Sequence, residues 1–354
     1  MELQEFTEGK ARILAPKFEK LTSRAKVFYN PEMSFDRDLS SLLISSSADR
    51  LEVCDALSGT GIRGIRYALE CKSKVHLNDL NPKSYKLIKE NLKLNNIEAE
   101  VSNIDANILL REIKFDVVDI DPFGSPVYYL DSAMCALKNN SMLFITATDT
   151  SPLCGSSPKA CLRKYGVKSF RTEFSKELGV RILISKILKI ASKYNLSFKP
   201  LLSYWRKHYF RVFLKAKKGK LKTYKALEDL RFIYYCDCLN RGILKNPIEM
   251  CNCGKPLKFL YPIYTSNLKS NDILNKMLDL KDIKFLRDLR SELDEPFYFD
   301  THIFSGKHKL PLRKLRDVIC ELEERGFKAS RTHFCKTGIK TDASFEDFRK
   351  VFEK

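Results

Sequence analysis

FDVVDIDPFGSP, residues 115–126, predicts more about the fold than any other part of this chain. The run 115–120 is apolar enough for a buried strand, and it ends abruptly in the turn DPFG (121–124). In open α/β sheets, ligands bind at the carboxyl ends of the strands. A carboxylate and an aromatic ring at that edge can hold a flat nucleobase by its polar edge and its face, although a plain turn with a solvated Asp121 fits the same residues.

On both sides of this stretch, strand-like and helix-like segments alternate. The other strand-like runs are 51–58, 74–80, 99–105 and 141–149. Strands that alternate with helices in this way predict an α/β fold with a parallel, doubly wound sheet. After it, we expect a helix over about 170–194 and two further strands, arranged as a hairpin, within 197–219.

A lysine-rich break near residues 217–220 predicts a boundary between a domain of residues 1–218 and a smaller domain of residues 219–354. In the smaller domain we expect two or three helices over 270–294 and a further helix within 310–327, packed in a helix-strand module. The apolar residues of that last helix have the spacing of one buried face; they are Leu312, Leu315, Val318, Ile319 and Leu322. Its basic side either faces phosphates or is simply solvated.

The formal net charge of +19 on 354 residues is spread along the chain rather than confined to a tail. Such a surface attracts polyanions, and nucleic acid is the leading candidate; solubility or a lysine-rich genome would give the same excess. No apolar run approaches the roughly 20 residues that span a bilayer. The start, MELQEFTEGK, lacks the pattern of a secretory signal. We therefore expect a cytoplasmic protein with no membrane association.

A glycine-rich turn, SGTGIRG (58–64), joins the strand at 51–58 to the next helix. Its G-x-G-x-x-G spacing is the dinucleotide fingerprint, which is a weak signal on its own. Asp55 inside the strand, and the lack of a second dinucleotide-binding half, point away from NAD. D-x-x-x-G-x-G, formed by Asp55, Gly59 and Gly61, instead fits S-adenosyl-L-methionine, which has no pyrophosphate.

Two further strands end in carboxylates. Asp79 follows the strand at 74–80, where a carboxylate can accept both ribose hydroxyls in charge-assisted hydrogen bonds. Asp105 ends the strand at 99–105, where it can meet the adenine amino group, and the Ala106 N–H can reach a ring nitrogen. Each aspartate alone is more often a turn or N-cap residue. Three acidic strand ends beside one glycine loop favour a cofactor site.

Four of the 11 cysteines cluster as two C-x-C pairs: Cys236, Cys238, Cys251 and Cys253. Clustered thiols in a cytosolic protein point to a metal rather than to disulfides. Structural zinc sites usually use C-x-x-C pairs, so one-residue gaps would strain tetrahedral chelation. The pattern therefore predicts zinc, with four free thiols in a basic loop as the alternative.

Seven segments together are specific to one family. They are VFYNPEMSFDRDLS (27–40), DALSGTGIRGIRYA (55–68), NDLNP (78–82), DIDPFGSP (119–126), TATDTSPLCG (146–155), HYFRV (208–212) and ASRTHFCKTGIKTDAS (329–344). On these segments the chain resembles, over nearly its whole length, the tRNA guanine-26-N2 dimethyltransferases. These enzymes use S-adenosyl-L-methionine.

The resemblance implies a Rossmann-like S-adenosylmethionine-dependent methyltransferase domain with a seven-stranded sheet, and a smaller α+β carboxyl-terminal domain that binds tRNA. It implies that one or two methyl groups are transferred to N2 of guanosine 26. By the family's pattern, the cofactor contacts are Arg37, Arg63, Asp79, Asp105 and Ala106. The same pattern makes Asp121 catalytic and places Phe28 and Phe123 near the base. We expect a monomer.

The chemistry of Asp121 favours guanine independently of the family. Guanine presents two adjacent donors, N1–H and N2–H, and a carboxylate offers two acceptor oxygens at matching spacing. Two alternatives stay open at this point. One is a methyltransferase for another amino group, such as adenine N6 or a ribosomal RNA guanine. The other is an RNA-binding chaperone with a vestigial Rossmann domain.

Overall fold

The structure is a computed structural model that describes residues 2–17, 27–47, 49–244, 246 and 248–353. Its first elements are β1 (Leu3–Glu8), β2 (Ala11–Pro16), a 3-10 helix (Pro31–Met33) and α1 (Ser34–Ser45). Strands β1 and β2 form an antiparallel hairpin. Alternate residues of β2 are buried, namely Ala11, Ile13 and Ala15, as expected for a strand with one face on the core.

The central part of the chain alternates between strands and helices. The elements are β3 (Glu52–Asp55), α2 (Ile62–Cys71), β4 (Lys74–Asn78), α3 (Pro82–Leu94), β5 (Glu100–Ser102), α4 (Ala106–Glu112), β6 (Phe115–Ile120), α5 (Val127–Ala136) and β7 (Leu137–Ala147). Helix α3 begins at Pro82, which suits the first helical position because its missing N–H would have no partner there. The strand predicted over 141–149 begins earlier, at Leu137.

The elements that follow complete the large sheet. They are α6 (Thr150–Leu153), α7 (Pro158–Tyr165), α8 (Ser175–Ser192), β8 (Leu196–Arg206) and β9 (Tyr209–Lys218). The order of the seven strands is β5-β4-β3-β6-β7-β9-β8. The first five run parallel, whereas β9 is antiparallel to both β7 and β8. The predicted doubly wound sheet and hairpin are thus confirmed.

Both faces of this sheet are buried. Val117 and Val118 of β6 are each 0% exposed but belong to different apolar clusters, because successive side chains of a strand point to opposite faces. Such burial explains the nearly continuous apolar run in β6. Two aspartates interrupt that run: Asp116 is only partly buried, whereas Asp119 is buried, and a buried carboxylate requires a partner.

The chain after residue 218 forms two small sheets with helices. Its elements are α9 (Lys220–Leu227), β10 (Leu230–Tyr235), β11 (Arg241–Ile243), β12 (Lys258–Tyr264), α10 (Asn271–Leu280), α11 (Lys284–Ser291), β13 (Phe299–Asp300), α12 (Thr301–His308), α13 (Leu315–Glu324), β14 (Ala329–Thr332), β15 (Cys335–Thr341) and α14 (Phe345–Lys350). The sheet orders are β11-β10-β12 and β13-β15-β14, and all pairs are antiparallel. A Rossmann-like fold with a smaller α+β part is therefore confirmed.

The strands of the large sheet precede residue 219, but α8 packs against β12 and the two parts share one apolar core. The division into domains of 1–218 and 219–354 therefore stays a prediction. Within the residues that the structure describes, no helix has the length and apolar character needed to cross a membrane.

The predicted buried face of the helix within 310–327 is wrong at one position. Val318 and Leu322 are fully buried, and Leu315 and Ile319 pack beside them. Leu312 is 58% exposed instead. The reason is that α13 begins only at Leu315, after an extended residue at Lys314, so Leu312 lies outside the helical repeat.

Candidate functional site

A cavity of about 530 Å³ opens at the carboxyl ends of β3, β4 and β6, a size typical of small-molecule sites. Five of the predicted site residues lie on its wall: Phe28, Gly59, Asp79, Asp121 and Phe123. The loop after each strand supplies part of this wall, since parallel strands bring their carboxyl ends to one edge of the sheet. The position of Phe28 depends on the segment before α1, which folds over the same edge.

The DPFG turn is fixed by the strand beside it. The Gly124 N–H donates to Thr148 Oγ1 at 2.6 Å, and the Thr148 N–H donates back to the Gly124 carbonyl at 2.9 Å. Gly124 has φ +78°, a conformation that favours glycine. The turn leaves Phe123 51% exposed. Phe123 contacts Phe28 edge to face, with 4.2 Å between ring centroids, so two rings border the cavity beside Asp121.

Asp121 is held by a buried arginine. One carboxylate oxygen lies 2.5 Å from Arg63 Nη2, and the Asp121 side chain keeps 21% exposure. Burial raises the pKa of Asp121, but the guanidiniums of Arg63 and Arg211 outweigh it and hold that pKa below its ordinary value. Asp121 is therefore an ionised acceptor at the edge of the cavity.

Beneath Asp121, two arginines and two aspartates form an ion network that is almost completely buried. Arg63 Nη2 lies 2.8 Å from Asp36, and Arg211 lies 2.7 Å from Asp119 and 3.2 Å from Asp36. Sequence reasoning missed Asp36, Asp119 and Arg211 as parts of the site. The signal was present, because Asp36 and Arg211 lie in segments quoted for the family and Asp119 interrupts a buried strand.

Asp55 lies next to this network rather than on the cavity wall. It is the register partner of Asp119 in the adjacent parallel strand, and it accepts the Gly64 N–H at 3.1 Å. Burial first, and then the charge of Asp119, raise the pKa of Asp55 to about 7. The predicted cofactor residue thus anchors the first turn of α2. Gly61, also predicted, packs against Leu77 and Ile88 behind the loop.

Arg37 and Arg63, predicted to grip the methionine carboxylate, are both turned toward protein carboxylates. Arg37 donates to both oxygens of Glu8, at 2.5 and 2.6 Å, and is 4% exposed. Arg66 contacts the same Glu8 at 2.8 Å. Glu8 comes from the amino-terminal hairpin, where no sequence pattern marked it. The cofactor role of the two arginines stays a prediction.

Of the predicted adenosine contacts, Asp79 after β4 lies on the cavity wall, whereas Asp105 and Ala106 after β5 lie outside its lining. Asp79 receives the Gly59 and Asn81 N–H groups, one on each oxygen, at 2.8 Å. Each oxygen therefore keeps capacity for a ribose hydroxyl. Asp105 caps α4 through the Asn107 N–H and is exposed, and Ala106 beside it is buried.

Tyr129 was missed by sequence reasoning. It lies on the cavity wall, and burial followed by the charges of Asp105 and Asp79 raises the pKa of its hydroxyl. Its ring therefore lies near both predicted ribose and adenine contacts. These residues together fit the adenosine part of S-adenosyl-L-methionine.

The four clustered cysteines come together in space. Their sulfur atoms all lie within 4.8 Å of one another, and the shortest separations, 3.5 and 3.6 Å, join one cysteine from each pair. Tetrahedral zinc with Zn–S bonds of about 2.3 Å needs sulfur separations of about 3.8 Å. The four thiols are therefore close enough together to fit zinc.

Similar turns position both cysteine pairs. The Leu239 N–H donates to the Cys236 carbonyl, and the Gly254 N–H donates to the Cys251 carbonyl, each at 2.8 Å. Leu239 and Gly254 both have positive φ, 75° and 80°. Each turn thus reverses the chain just after its pair of thiols and directs both toward the same point.

The family model described as N2,N2-dimethylguanosine tRNA methyltransferase matches residues 9–353. The tRNA (guanine(26)-N(2))-dimethyltransferase of Pyrococcus abyssi is 40% identical, with 99% of each chain covered. The protein of the same name from Archaeoglobus fulgidus is 40% identical over 98% of each chain. The solved structure of Trm1 from Pyrococcus horikoshii with S-adenosyl-L-methionine superposes with a TM-score of 0.90 at 37% identity, and covers 99% of this chain and 100% of that one.

Proposed function

Because this chain belongs to the N2,N2-dimethylguanosine tRNA methyltransferase family, we propose that it transfers one or two methyl groups to the exocyclic N2 of guanosine 26 in tRNA. The methyl donor is S-adenosyl-L-methionine, the molecule bound in the Pyrococcus horikoshii structure. The observation that carries the proposal is the ionised carboxylate of Asp121, which borders the same cavity as two aromatic rings, Gly59 and Asp79.

The chain offers contacts for the adenosine part of the donor. Asp79 would hold the ribose, Asp105 and Ala106 the adenine, and the loop at Gly59 would pass close to the ligand because glycine has no side chain to block it. A Cβ at Gly59 would lie 2.8 Å from the Phe28 carbonyl oxygen, so the loop is already tight. When bound, S-adenosyl-L-methionine supplies an electrophilic methyl group on a sulfonium centre.

Asp121 binds and orients the guanine. Its two oxygens can accept N1–H and N2–H together, whereas the N1 acceptor of adenine would be repelled. Since Arg63 and Arg211 hold its pKa low, Asp121 stays ionised and draws electron density toward N2. It is a weak base for the same reason. The released proton therefore moves to it only once methylation has made the amine strongly acidic.

The aromatic rings select a base that has left its stack. Position 26 joins two stems of tRNA, and an enzyme that acts on a base edge must turn the base out of the helix. Phe123, 51% exposed at the cavity edge, offers a face for it, with Phe28 behind. Stacking of this kind contributes about 1–3 kcal/mol per base. Positioning thus accounts for much of the catalysis.

We also propose that Cys236, Cys238, Cys251 and Cys253 hold a structural zinc ion. A closed set of four thiolates leaves no open position, so the metal would cross-link the two turns and supply no catalytic group. The monomeric state and the cytoplasmic location expected from the sequence stay predictions.

Asp121→Ala and Asp121→Asn test the catalytic assignment. We expect either change to lower the rate of methyl transfer by about 100-fold or more, while the affinity for S-adenosyl-L-methionine changes little. The assay is methyl transfer to unmodified tRNA, with cofactor binding measured by calorimetry. Arg63 keeps Asp36 as a partner in both variants, so folding should be retained. Wild-type turnover in the Asn variant would refute the role of Asp121.

The product distinguishes the alternatives. Mass spectrometry should find N2-methylated guanosine from wild-type tRNA and none from tRNA with adenine at position 26. Methylated adenine, or transfer to ribosomal RNA alone, would favour another methyltransferase. Failure of the chain to bind S-adenosyl-L-methionine would favour an RNA chaperone.

A further inference from the structure

The sheet β11-β10-β12 has one face in the core and one face of exposed aromatic rings. Ile233, Leu260 and Ile263 are at most 3% exposed. On the opposite face the side chains are aromatic, where an antiparallel sheet normally presents polar residues to water. We call this the aromatic face; its members are Phe232, Tyr234, Phe259 and Tyr261. Phe232, Phe259 and Tyr261 are 48%, 40% and 49% exposed.

An irregular register brings two of these rings together. Between the pairs Arg231–Ile263 and Ile233–Leu260, β12 has one residue more than β10. Tyr261 and the buried Pro262 therefore both lie opposite Phe232. Such bulges re-aim side chains locally. Tyr261 stacks on Phe232 with 4.1 Å between centroids and an angle of 16° between the rings.

The aromatic face is supported from behind by the cysteine cluster. Tyr234 pairs with Phe259 across the strands and packs against the group formed by Cys236, Cys251 and Leu257. One end of the aromatic face therefore adjoins the four cysteines that we propose to hold zinc. Ordered rings lose little further freedom when a flat ligand stacks on them, so a preformed stack binds such ligands well.

The charge of the segment that precedes β10 in the chain indicates a polyanion. The segment 217–225, just before β10, contains five exposed lysines and no acidic residue; they are Lys217, Lys218, Lys220, Lys222 and Lys225. Among the residues that the structure describes, none of the five forms an ion pair. Over residues 215–260 the chain has eleven lysines and arginines against four acidic residues. Two of the eleven, Arg241 and Lys258, are paired with Glu173 and Asp237, whereas the five exposed lysines of 217–225 remain available to phosphates.

We propose that the aromatic face binds unpaired nucleotides of the tRNA substrate by stacking, and that the 217–225 lysines contact their phosphates. Aromatic rings beside cations are the combination that holds single-stranded nucleic acid, and several RNA-binding sheets stack bases on surface aromatics. The proposal rests on the proposed function for its ligand. It adds a second contact with tRNA, separate from the cavity that takes guanine 26.

The test replaces the rings with apolar side chains that cannot stack. Phe232→Leu/Tyr261→Leu should weaken binding of unmodified tRNA by about 10-fold or more, since it removes stacking on two rings. The KM for tRNA should rise, while kcat at saturating tRNA and the affinity for S-adenosyl-L-methionine stay unchanged. The matched control, Phe232→Tyr/Tyr261→Phe, keeps both rings and should bind tRNA as the wild type does.

Equal tRNA affinity in the leucine and ring-swap variants would overturn the proposal. The proposal would also be overturned by a leucine variant that binds tRNA normally but has a different oligomeric state in sedimentation. The aromatic face would then contact a second copy of the chain. Lys220→Gln/Lys222→Gln gives an independent measurement: the slope of log Kd against log salt should fall by about one to two. An unchanged slope would also count against the proposal. If the wild-type chain binds tRNA but does not methylate guanosine 26, the proposed function fails instead.

Discussion

The cavity edge and the aromatic face use positive charge in opposite ways. Below Asp121, the guanidiniums of Arg63 and Arg211 are 4% and 0% exposed and each contacts two or more carboxylates. In the segment before β10, the lysines of 217–225 are exposed. Buried charges fix the position and ionisation of a reacting group, whereas exposed charges remain available to the substrate.

This difference determines which measurement each region should affect. Removing one partner of a buried ion pair leaves the other charge uncompensated and costs about 3–5 kcal/mol. Exposed charges contribute about 0–1 kcal/mol to stability, but each phosphate contact affects binding and its salt dependence. Changes at the cavity edge should therefore appear in stability and pH dependence, and changes beside the aromatic face in affinity.

The largest effect is expected for Arg211→Leu. The change leaves Asp36 and Asp119 with less compensation in a site that water does not reach, so we expect a loss of about 3–5 kcal/mol in the free energy of unfolding. Loss of the Arg211 charge should also raise the pKa of Asp121. The acid limb of the pH-rate profile should then move to higher pH. Urea unfolding and methyl transfer at several pH values measure the two effects.

Lys193→Met is the matched control, because Lys193 pairs with Asp131 at the surface, where the two side chains are 61% and 41% exposed. Its stability should stay within the error of the wild-type unfolding curve, because exposed ion pairs contribute little. A similar loss in both variants would mean that burial does not distinguish the two kinds of ion pair.

Local patterns in the sequence predicted most of the large sheet. The alternation of strands and helices, the turn at 121–124 and the hairpin of β8 and β9 each depend on residues close in the chain. Asp79 and Asp121 were found because they follow strands whose ends meet at one edge. These features follow from the geometry of parallel sheets rather than from long-range contacts.

What sequence reasoning missed depends on contacts between distant residues. Arg211 lies 92 residues from Asp119, and Glu8 lies 29 residues before Arg37, so no local pattern pairs them. The register irregularity that places Tyr261 beside Phe232 involves two strands joined by a long loop. Helix α13 begins only after Lys314, whose backbone is extended. The apolar spacing does not reveal this starting point.

Removal of zinc would test whether the aromatic face depends on the cysteine cluster. Protein purified without chelator should contain about one zinc per chain by elemental analysis. Cys251→Ser should lose the metal, lower Tm by several degrees and weaken tRNA binding, because Tyr234 packs on the cluster. Binding of S-adenosyl-L-methionine should not change.

Cys320→Ser serves as the control, since Cys320 is exposed and lies outside the cluster. It should retain zinc and tRNA affinity. If the protein contains no zinc, or if Cys251→Ser binds tRNA normally, then tRNA binding by the aromatic face does not depend on a metal.

An effect with a distinctive sign is expected for Asp55→Asn. The pKa of Asp55 is raised from 3.8 to about 7, mainly by burial and by Asp119, so between these values the folded chain holds a proton that the unfolded chain releases. Stability conferred by this site therefore falls as pH rises from about 4 to about 7 and is constant above. Asparagine cannot ionise and can still accept the Gly64 N–H, so the variant should gain Tm at pH 8 and little at pH 5.

Asp131→Asn is the matched control, because its effect on stability at pH 8 should have the opposite sign. The hydrogen bond from Lys193 lowers the pKa of Asp131, so this variant should lose a little stability at pH 8. The loss should be smaller at high salt, because the pair is exposed and its attraction is screened. Melting curves of both variants at pH 5 and pH 8 provide the comparison. If the difference in Tm between Asp55→Asn and the wild type is the same at pH 5 and pH 8, Asp55 is ionised in the folded chain at both pH values. The buried network would then contain four carboxylates for two guanidiniums, and the compensation argued for Asp121 would have to come from elsewhere.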